Sequence, residues 1–377
     1  MLDSLDPLVE RIISIYSRLE YALIIEIAKR FDVYDSIGGS LEWQIKKLEE
    51  LGALNADAVK LIAQFSKRSE KEIIIMLNEA KFINIDFDLL TKAFDAGAIK
   101  ISPLTLMENT AFTRLIESTY KELGDTFRLI QTKAFESTKQ AYMDVINRSY
   151  VEVATGTYDY GTSIKRAVNR MAQQGITAAT YKRGERIINY SIEGAVRRDT
   201  LSAVNKLANA SALQAVNELG AKYVETSMHI GARVHPTNPI ANHAGWQGKV
   251  FKVNGSDKYP NLKESTGYPD DILGLGGVNC RHRIFPFFPG ISVPKRKTFT
   301  DEENKKAYEL SQKQRALERQ MRTLKKRHAA AKAIGDKETA QALKKKITAK
   351  SDEIDKFCKD NNLRRDYSRE LVFEQMK

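Results

Sequence analysis

Two cysteines, Cys280 and Cys358, are too few and too far apart in this 377-residue chain to build a disulfide framework. No run of about 18 apolar residues occurs, so no membrane-spanning helix is expected. The opening segment MLDSLDPLVERI carries acids early. It lacks the basic and apolar regions of a signal peptide, so synthesis in a reducing cytoplasm is expected. The phosphate-loop pattern G-x-x-x-x-G-K-S/T is absent, as is the dinucleotide fingerprint; Gly274, Gly276 and Gly277 fit neither. No carboxylate cluster with metal-binding spacing, internal repeat or low-complexity linker interrupts the chain.

What is there suffices for two or three packed domains. Hydrophobic residues make up 42% and charged residues 29%, which excludes wholesale disorder. The net charge is +12, and its location gives it meaning. Residues 295–350 hold 18 lysines and arginines against seven acids, so one segment carries nearly the whole surplus. A localised field of that sign suits a phosphate backbone or another polyanion; a solvated helix face is the plainer alternative.

Apolar periodicity predicts a mainly helical chain. Asp6-Pro7 starts a helix carried by Leu8, Ile12, Ile15, Leu19, Leu23 and Ile27. A second helix is expected over residues 41–51, ending before Gly52. A short one follows over residues 57–65, and a fourth begins at a Ser69–Glu72 capping box. Residues 109–150 read as one long helix or two, broken near Gly124. Helices are expected over residues 163–174, closed by Gly175, and over residues 177–219, closed by Gly220. The pattern then changes. Residues 221–227, 249–253 and 283–288 read as short strands, separated by proline- and glycine-rich loops. Thr300 and Glu303 make a capping box for a charged helix to about Ile334. Gly335-Asp336 turns the chain, and residues 337–361 return as the second arm of a hairpin.

Rare residue types concentrate between His229 and Pro289, which enclose four of the five histidines and six of the nine prolines. Two chemical readings arise there. Zinc favours imidazole and thiolate, but Cys280-Arg281-His282 is C-x-H rather than C-x-x-C and has no second knuckle, so no metal or other cofactor is expected. His229, Arg233, His243 and Arg281 could supply a general base and phosphate-stabilising cations, as in a nuclease or toxin-like transferase. The favoured reading is structural. Trp246, Tyr259, Tyr268, Phe285, Phe287 and Phe288 build a small core, Cys280 is a buried hydrophobe, the histidines satisfy backbone carbonyls, and Arg281 clamps a loop. In the basic hairpin, Lys325-Lys326-Arg327 and Lys344-Lys345-Lys346 lie symmetrically about the turn, so the two clusters are expected side by side. Like charges held together favour an anion between them. With Arg322 they form the expected contact set for double-stranded DNA, bound without sequence preference.

These segments also carry a resemblance. The residues concerned are Leu41-Glu42-Trp43-Gln44, Leu51-Gly52, the run Val224–His229 with Gly231-Ala232-Arg233, then His243, Trp246-Gln247-Gly248-Lys249 and Tyr268. Asn279-Cys280-Arg281-His282 with Phe285-Pro286-Phe287-Phe288-Pro289-Gly290 is the most specific part. Tyr308, Arg315, Glu318, Arg319, Arg322 and Lys325 follow. In this order they resemble the phage minor capsid proteins of the portal-associated head-morphogenesis group, related to the Mu F-like minor head proteins. His235-Pro236-Thr237-Asn238 departs from that pattern, where a second Cys or Gln is common, which weakens any metal or thiol role carried over from it. The resemblance implies a non-enzymatic virion protein inside the head that binds the portal protein and contacts packaged DNA. Ejection with the DNA and contact with major capsid or scaffold protein are open extensions. His229, Arg233, His243, Trp246, Gln247, Cys280, Arg281, His282, Pro286 and Pro289 would be its structural motif. The expected organisation is a helical portal-docking domain over 1–105, long helices over 106–220, a small α+β module over 221–292 and the basic hairpin over 293–377.

Overall fold

The computed structural model describes residues 5–32, 40–183, 185–294 and 298–371. Residues 1–4 and 33–39 of the expected first domain, and 295–297 and 372–377 of the expected hairpin domain, lie outside the described residues. The fold is mainly α with a small β-containing module. In chain order the helices and strands are α1 (Asp6–Ala28), α2 (Ser40–Ala80), α3 (Phe87–Asp95), α4 (Thr110–Ala154) and α5 (Tyr160–Gln174), then β1 (Thr177–Arg183), β2 (Arg186–Ser191) and α6 (Ile192–Glu218). The module follows with β3 (Tyr223–Thr226), α7 (His243–Trp246), β4 (Val250–Lys252), α8 (Leu262–Thr266) and β5 (Ile284–Phe287). The chain ends in α9 (Asp301–Ala333) and α10 (Lys337–Asp360).

Two compact units form. One comprises Met1–Val9, Glu72–Asp125 and Arg198–Gln312; the other comprises Glu10–Lys71, Thr126–Arg197 and Lys313–Lys377. Each unit therefore draws on several of the four consecutive segments expected from the sequence, and unit boundaries fall inside α1, α2, α4, α6 and α9.

In the first unit, β3 is the central strand of a three-stranded antiparallel sheet, ordered β4-β3-β5. Val224 faces Phe251 on one side and Pro286 on the other. Pro286 is tolerated because β5 is an edge strand with one side free of ladder bonds. Ala212 and Val216 of α6 pack against Val224, Trp246, Phe251, Leu262, Tyr268, Leu275, Cys280 and Ile284. A second cluster joins Leu90 and Ala93 of α3 to Phe112 of α4, Leu219 and Phe288. All three strands expected for this module form within one or two residues of the expected bounds.

Two helical expectations are corrected. Residues 177–183 and 186–191 are not helix but the paired antiparallel strands β1 and β2. Thr177, Thr180 and Tyr181 face a second run containing Ile187, Ile188 and Tyr190; β-branched and aromatic side chains fit a pleated surface better than a helix turn. α2 runs unbroken through Gly52 and through Ser69. Ser69 is no cap: it is buried, its hydroxyl donates to the Ser66 carbonyl at 2.7 Å, and Tyr16 Oη lies 3.3 Å away. A glycine costs a helix about 1 kcal/mol against alanine, which burial of Trp43, Leu54 and Ala58 outweighs. α4 passes through Gly124 as one long helix, one of the two forms expected.

The capping box before α9 is reciprocal: Thr300 N–H donates to Glu303 at 2.7 Å, and Glu303 N–H donates to Thr300 Oγ1 at 3.1 Å. Gly335, at φ 76°, turns the chain, and Asp336 caps α10 through Thr339 N–H. Met321, Ile354 and Cys358 fill one contact between the hairpin arms; Ala331, Ala340 and Leu343 fill another. The second unit also buries a charge pair, Lys326 Nζ to Glu20 Oε1 at 2.5 Å, with Glu20 fully buried. Removing one partner strands the other charge. Lys326→Met should lower stability by about 3–5 kcal/mol in denaturant unfolding, and Glu20→Leu combined with Lys326→Met should recover most of it. A double variant as unstable as the single one would contradict this.

Candidate functional site

The histidine-rich segment of the first unit converges on one buried point. His282 ends the loop leading into β5, and its ring stacks on His229 at 4.3 Å between centroids. His243 meets the same ring edge-on at 5.2 Å, and Trp246 does so at 4.7 Å. Cys280 Sγ lies 3.7 Å from His282 Nδ1. One ligand-capable atom each from His243, Cys280 and His282 lies within 4.8 Å of the other two, and all three residues are buried. The C-x-H pair, incomplete in the sequence, thus receives its third member from α7.

Hydrogen bonds decide which ring nitrogens carry protons. His243 Nε2 lies 2.8 Å from the Leu273 carbonyl, which only accepts, so Nε2 is protonated. The Gln247 amide is oriented by the His229 backbone N–H, which donates to Oε1 at 3.1 Å. The same oxygen lies 3.2 Å from His282 Nε2, which must therefore donate. Both imidazoles, when neutral, present a lone pair at Nδ1. They are held neutral. Burial pulls His243 down to about 4, with Arg233 and His229 nearby adding to the shift against the Leu273 hydrogen bond. Burial, then the other two histidines, holds His282 well below its ordinary value. His229 is lowered by burial, and the Cys280 thiol is raised by it.

The frame around the cluster is asparagine-rich. Asn209 of α6, fully buried, donates to the His282 carbonyl at 3.2 Å and accepts from Ile284 N–H at 2.9 Å. Asn84 Nδ2 donates to the Asn209 side chain at 3.1 Å. Asn205, one helical turn earlier, donates to the Cys280 carbonyl at 3.1 Å. Asn304 accepts from Gly231 and Ala232 N–H and donates to the Ala232 carbonyl, fixing the turn before Arg233. None of these asparagines stands out in the sequence. For Asn205, Asn209 and Asn304 the one signal is an amide side chain on a helix face otherwise bound for the core; Asn84, in the turn after α2, carries none.

The other expected site residues separate by fate. Arg233 donates to the carbonyls of Leu273 and Val278, so it braces a loop. Trp246 Nε1 donates to the Ile240 carbonyl. Arg281 pairs with Asp6 at 3.1 Å. Pro286 lies in β5, and Pro289 follows it in the turn. The expected DNA-contact set is divided. Arg322 bonds the Arg369 carbonyl and pairs with Glu193 at 3.0 Å. Lys325 donates to the Glu370 carbonyl, Lys326 is buried on Glu20, and Arg327 donates to Asn169. Lys344, Lys345 and Lys346 of α10 are exposed. The first cluster is spent on internal contacts, so the expected side-by-side pair reduces to one outward-facing lysine run.

A pH dependence follows. His243 and His282 have folded-state values below the unfolded value of about 6.5. Their contribution is present above about pH 6.5 and is lost as pH falls toward 4, because protonation then favours the unfolded chain. Thermal unfolding between pH 7 and 4.5 should show this loss, and His243→Gln should flatten it. An equally steep profile in that variant would contradict the assignment.

Comparison with known proteins gives a consistent answer. The family described as phage minor capsid protein 2 matches residues 3–359. A protein named "Structural protein" from Lactococcus phage LL-H is 26% identical over 349 residues, covering 88% of this chain and 89% of that one. Another of the same name, from Lactococcus phage mv4, is 32% identical over 117 residues, covering 30% of this chain and 93% of that one. No solved structure matches.

Proposed function

From the premise that the chain belongs to the phage minor capsid protein 2 family, we propose that it is a minor virion component of the head interior, docked on the portal protein and touching packaged double-stranded DNA. Its role is binding in head morphogenesis rather than turnover. Among the described residues, no helix is long and apolar enough to cross a membrane.

The observation that carries the DNA contact is the split fate of the basic segment. Arg322, Lys325, Lys326 and Arg327 are satisfied within the protein, whereas Lys344, Lys345 and Lys346 stand consecutively exposed on α10. Three exposed ammonium groups on one stretch of helix make a local positive field that a polyanion would compensate. A duplex backbone offers phosphates at the needed density and asks for no base-edge readout. The braced positions of Arg233 and Arg281 weigh against the nuclease or transferase reading, since both guanidinium groups already have protein partners.

Two measurements test the reading. In DNA-filled particles, quantitative mass spectrometry should give a small fixed ratio to the portal protein; absence from particles would overturn it. In duplex-DNA binding, the combined substitutions Lys344→Glu, Lys345→Glu and Lys346→Glu should weaken affinity. They should also reduce the slope of log K against log salt by about 1 for each phosphate no longer neutralised. Arg327→Gln should leave the slope unchanged. An unaltered slope in the triple variant would remove DNA from the proposal.

A further inference from the structure

We propose that His243, Cys280 and His282 bind a zinc-class divalent cation that staples the motif together. The donor set is one thiolate sulfur and two imidazole nitrogens, the ligands zinc prefers. The separation fits. With Zn–S of about 2.3 Å and Zn–N of about 2.0–2.1 Å, a tetrahedral angle puts sulfur and nitrogen about 3.6 Å apart. Cys280 Sγ and His282 Nδ1 are 3.7 Å apart. All three donor atoms lie within 4.8 Å of one another.

The outer hydrogen bonds that such a site needs are already in place. Metal-bound histidines characteristically donate their other N–H to a carbonyl or carboxylate, which fixes the tautomer and ring orientation. His243 Nε2–H does so to the Leu273 carbonyl, and His282 Nε2–H does so to Gln247 Oε1. Both arrangements leave the Nδ1 lone pair available to a metal. Binding displaces the Cys280 thiol proton to solvent, so one proton is released per cation bound.

A cavity also borders the cluster at Cys280. Its volume is about 250 Å³, and it is lined by Cys280, His229, Asn205, Arg281 and Asp6, among others. His229 Nε2 and Asn205 Oδ1 are buried acceptors with no hydrogen-bond partner. Orphaned acceptors of this kind call for a donor, and a cation-bound water in the cavity would supply both. The ligands come from α7 and from the loop entering β5, so the ion would cross-link chain segments that the sheet alone does not join.

The test uses full-length protein without a histidine tag, stripped with chelator and titrated with Zn(II) and Co(II). One cation per chain is expected. The cobalt form should show thiolate charge-transfer absorption together with the strong ligand-field bands of a tetrahedral site. Cys280→Ser should abolish the charge-transfer band, whereas Cys358→Ser should keep it. Gln247→Leu, which leaves every ligand in place, should weaken affinity about 10–100-fold. Chelation should lower the melting temperature of the parent. Failure of the parent to take up either metal stoichiometrically would overturn the proposal, and so would a charge-transfer band that survives Cys280→Ser. The cobalt spectrum and stoichiometry of the parent decide the matter even if a variant fails to fold.

Discussion

The first unit depends on one buried amide. Asn209 bonds at once to the His282 carbonyl, the Ile284 N–H and the Asn84 side chain. None of these groups can reach water, because Asn209, Asn84 and Ile284 are fully buried and His282 nearly so. Each group left unsatisfied would cost about 1–3 kcal/mol, so the loop entering β5 has one inexpensive position. That position sets where His282 points, and His282 in turn is the surface on which His229, His243 and Trp246 gather. A polar network of this kind specifies a unique arrangement where apolar packing alone tolerates several.

Charge is used in the second unit for a different end. The basic surplus of the C-terminal segment divides into groups that hold the protein together and groups that face outward. Lys326 neutralises Glu20, Arg322 neutralises Glu193, and Arg365 bonds Glu370 at 2.5 Å. These pairs remove positive charge from the field a polyanion would feel. The lysine run of α10 remains exposed, and so do Lys305, Lys306, Lys313, Arg319, Lys332 and Lys337.

The fold is legible in the sequence wherever local chemistry decides it. Gly220, Gly335 and the Thr300–Glu303 box mark helix ends that form as expected, since a left-handed residue or a reciprocal cap is a local event. Alternation in residues 221–227, 249–253 and 283–288 marks the central sheet. The same local reasoning fails at Ser69, where tertiary burial overrides a capping signature, and at residues 177–191, where β-branched alternation prevails over a helical period. The site is legible as a concentration of histidine, cysteine and tryptophan. Its wiring is not, because Asn84 and Asn209 lie far from His282 in sequence and an asparagine carries no mark of its partner. Linear position locates the charge clusters of the hairpin but says nothing of which helix face turns inward.

Amide hydrogen exchange at Ile284 tests the central claim most directly, because its N–H is held by the Asn209 side chain rather than by a strand neighbour. This amide should exchange as slowly as the core of β3 in the parent. In Asn209→Ala it should accelerate selectively, along with the amides around Cys280 and His282, while α10 is unaffected. Fast exchange of Ile284 in the parent, or no change in the variant, would contradict the claim that one asparagine sets the geometry of the histidine cluster.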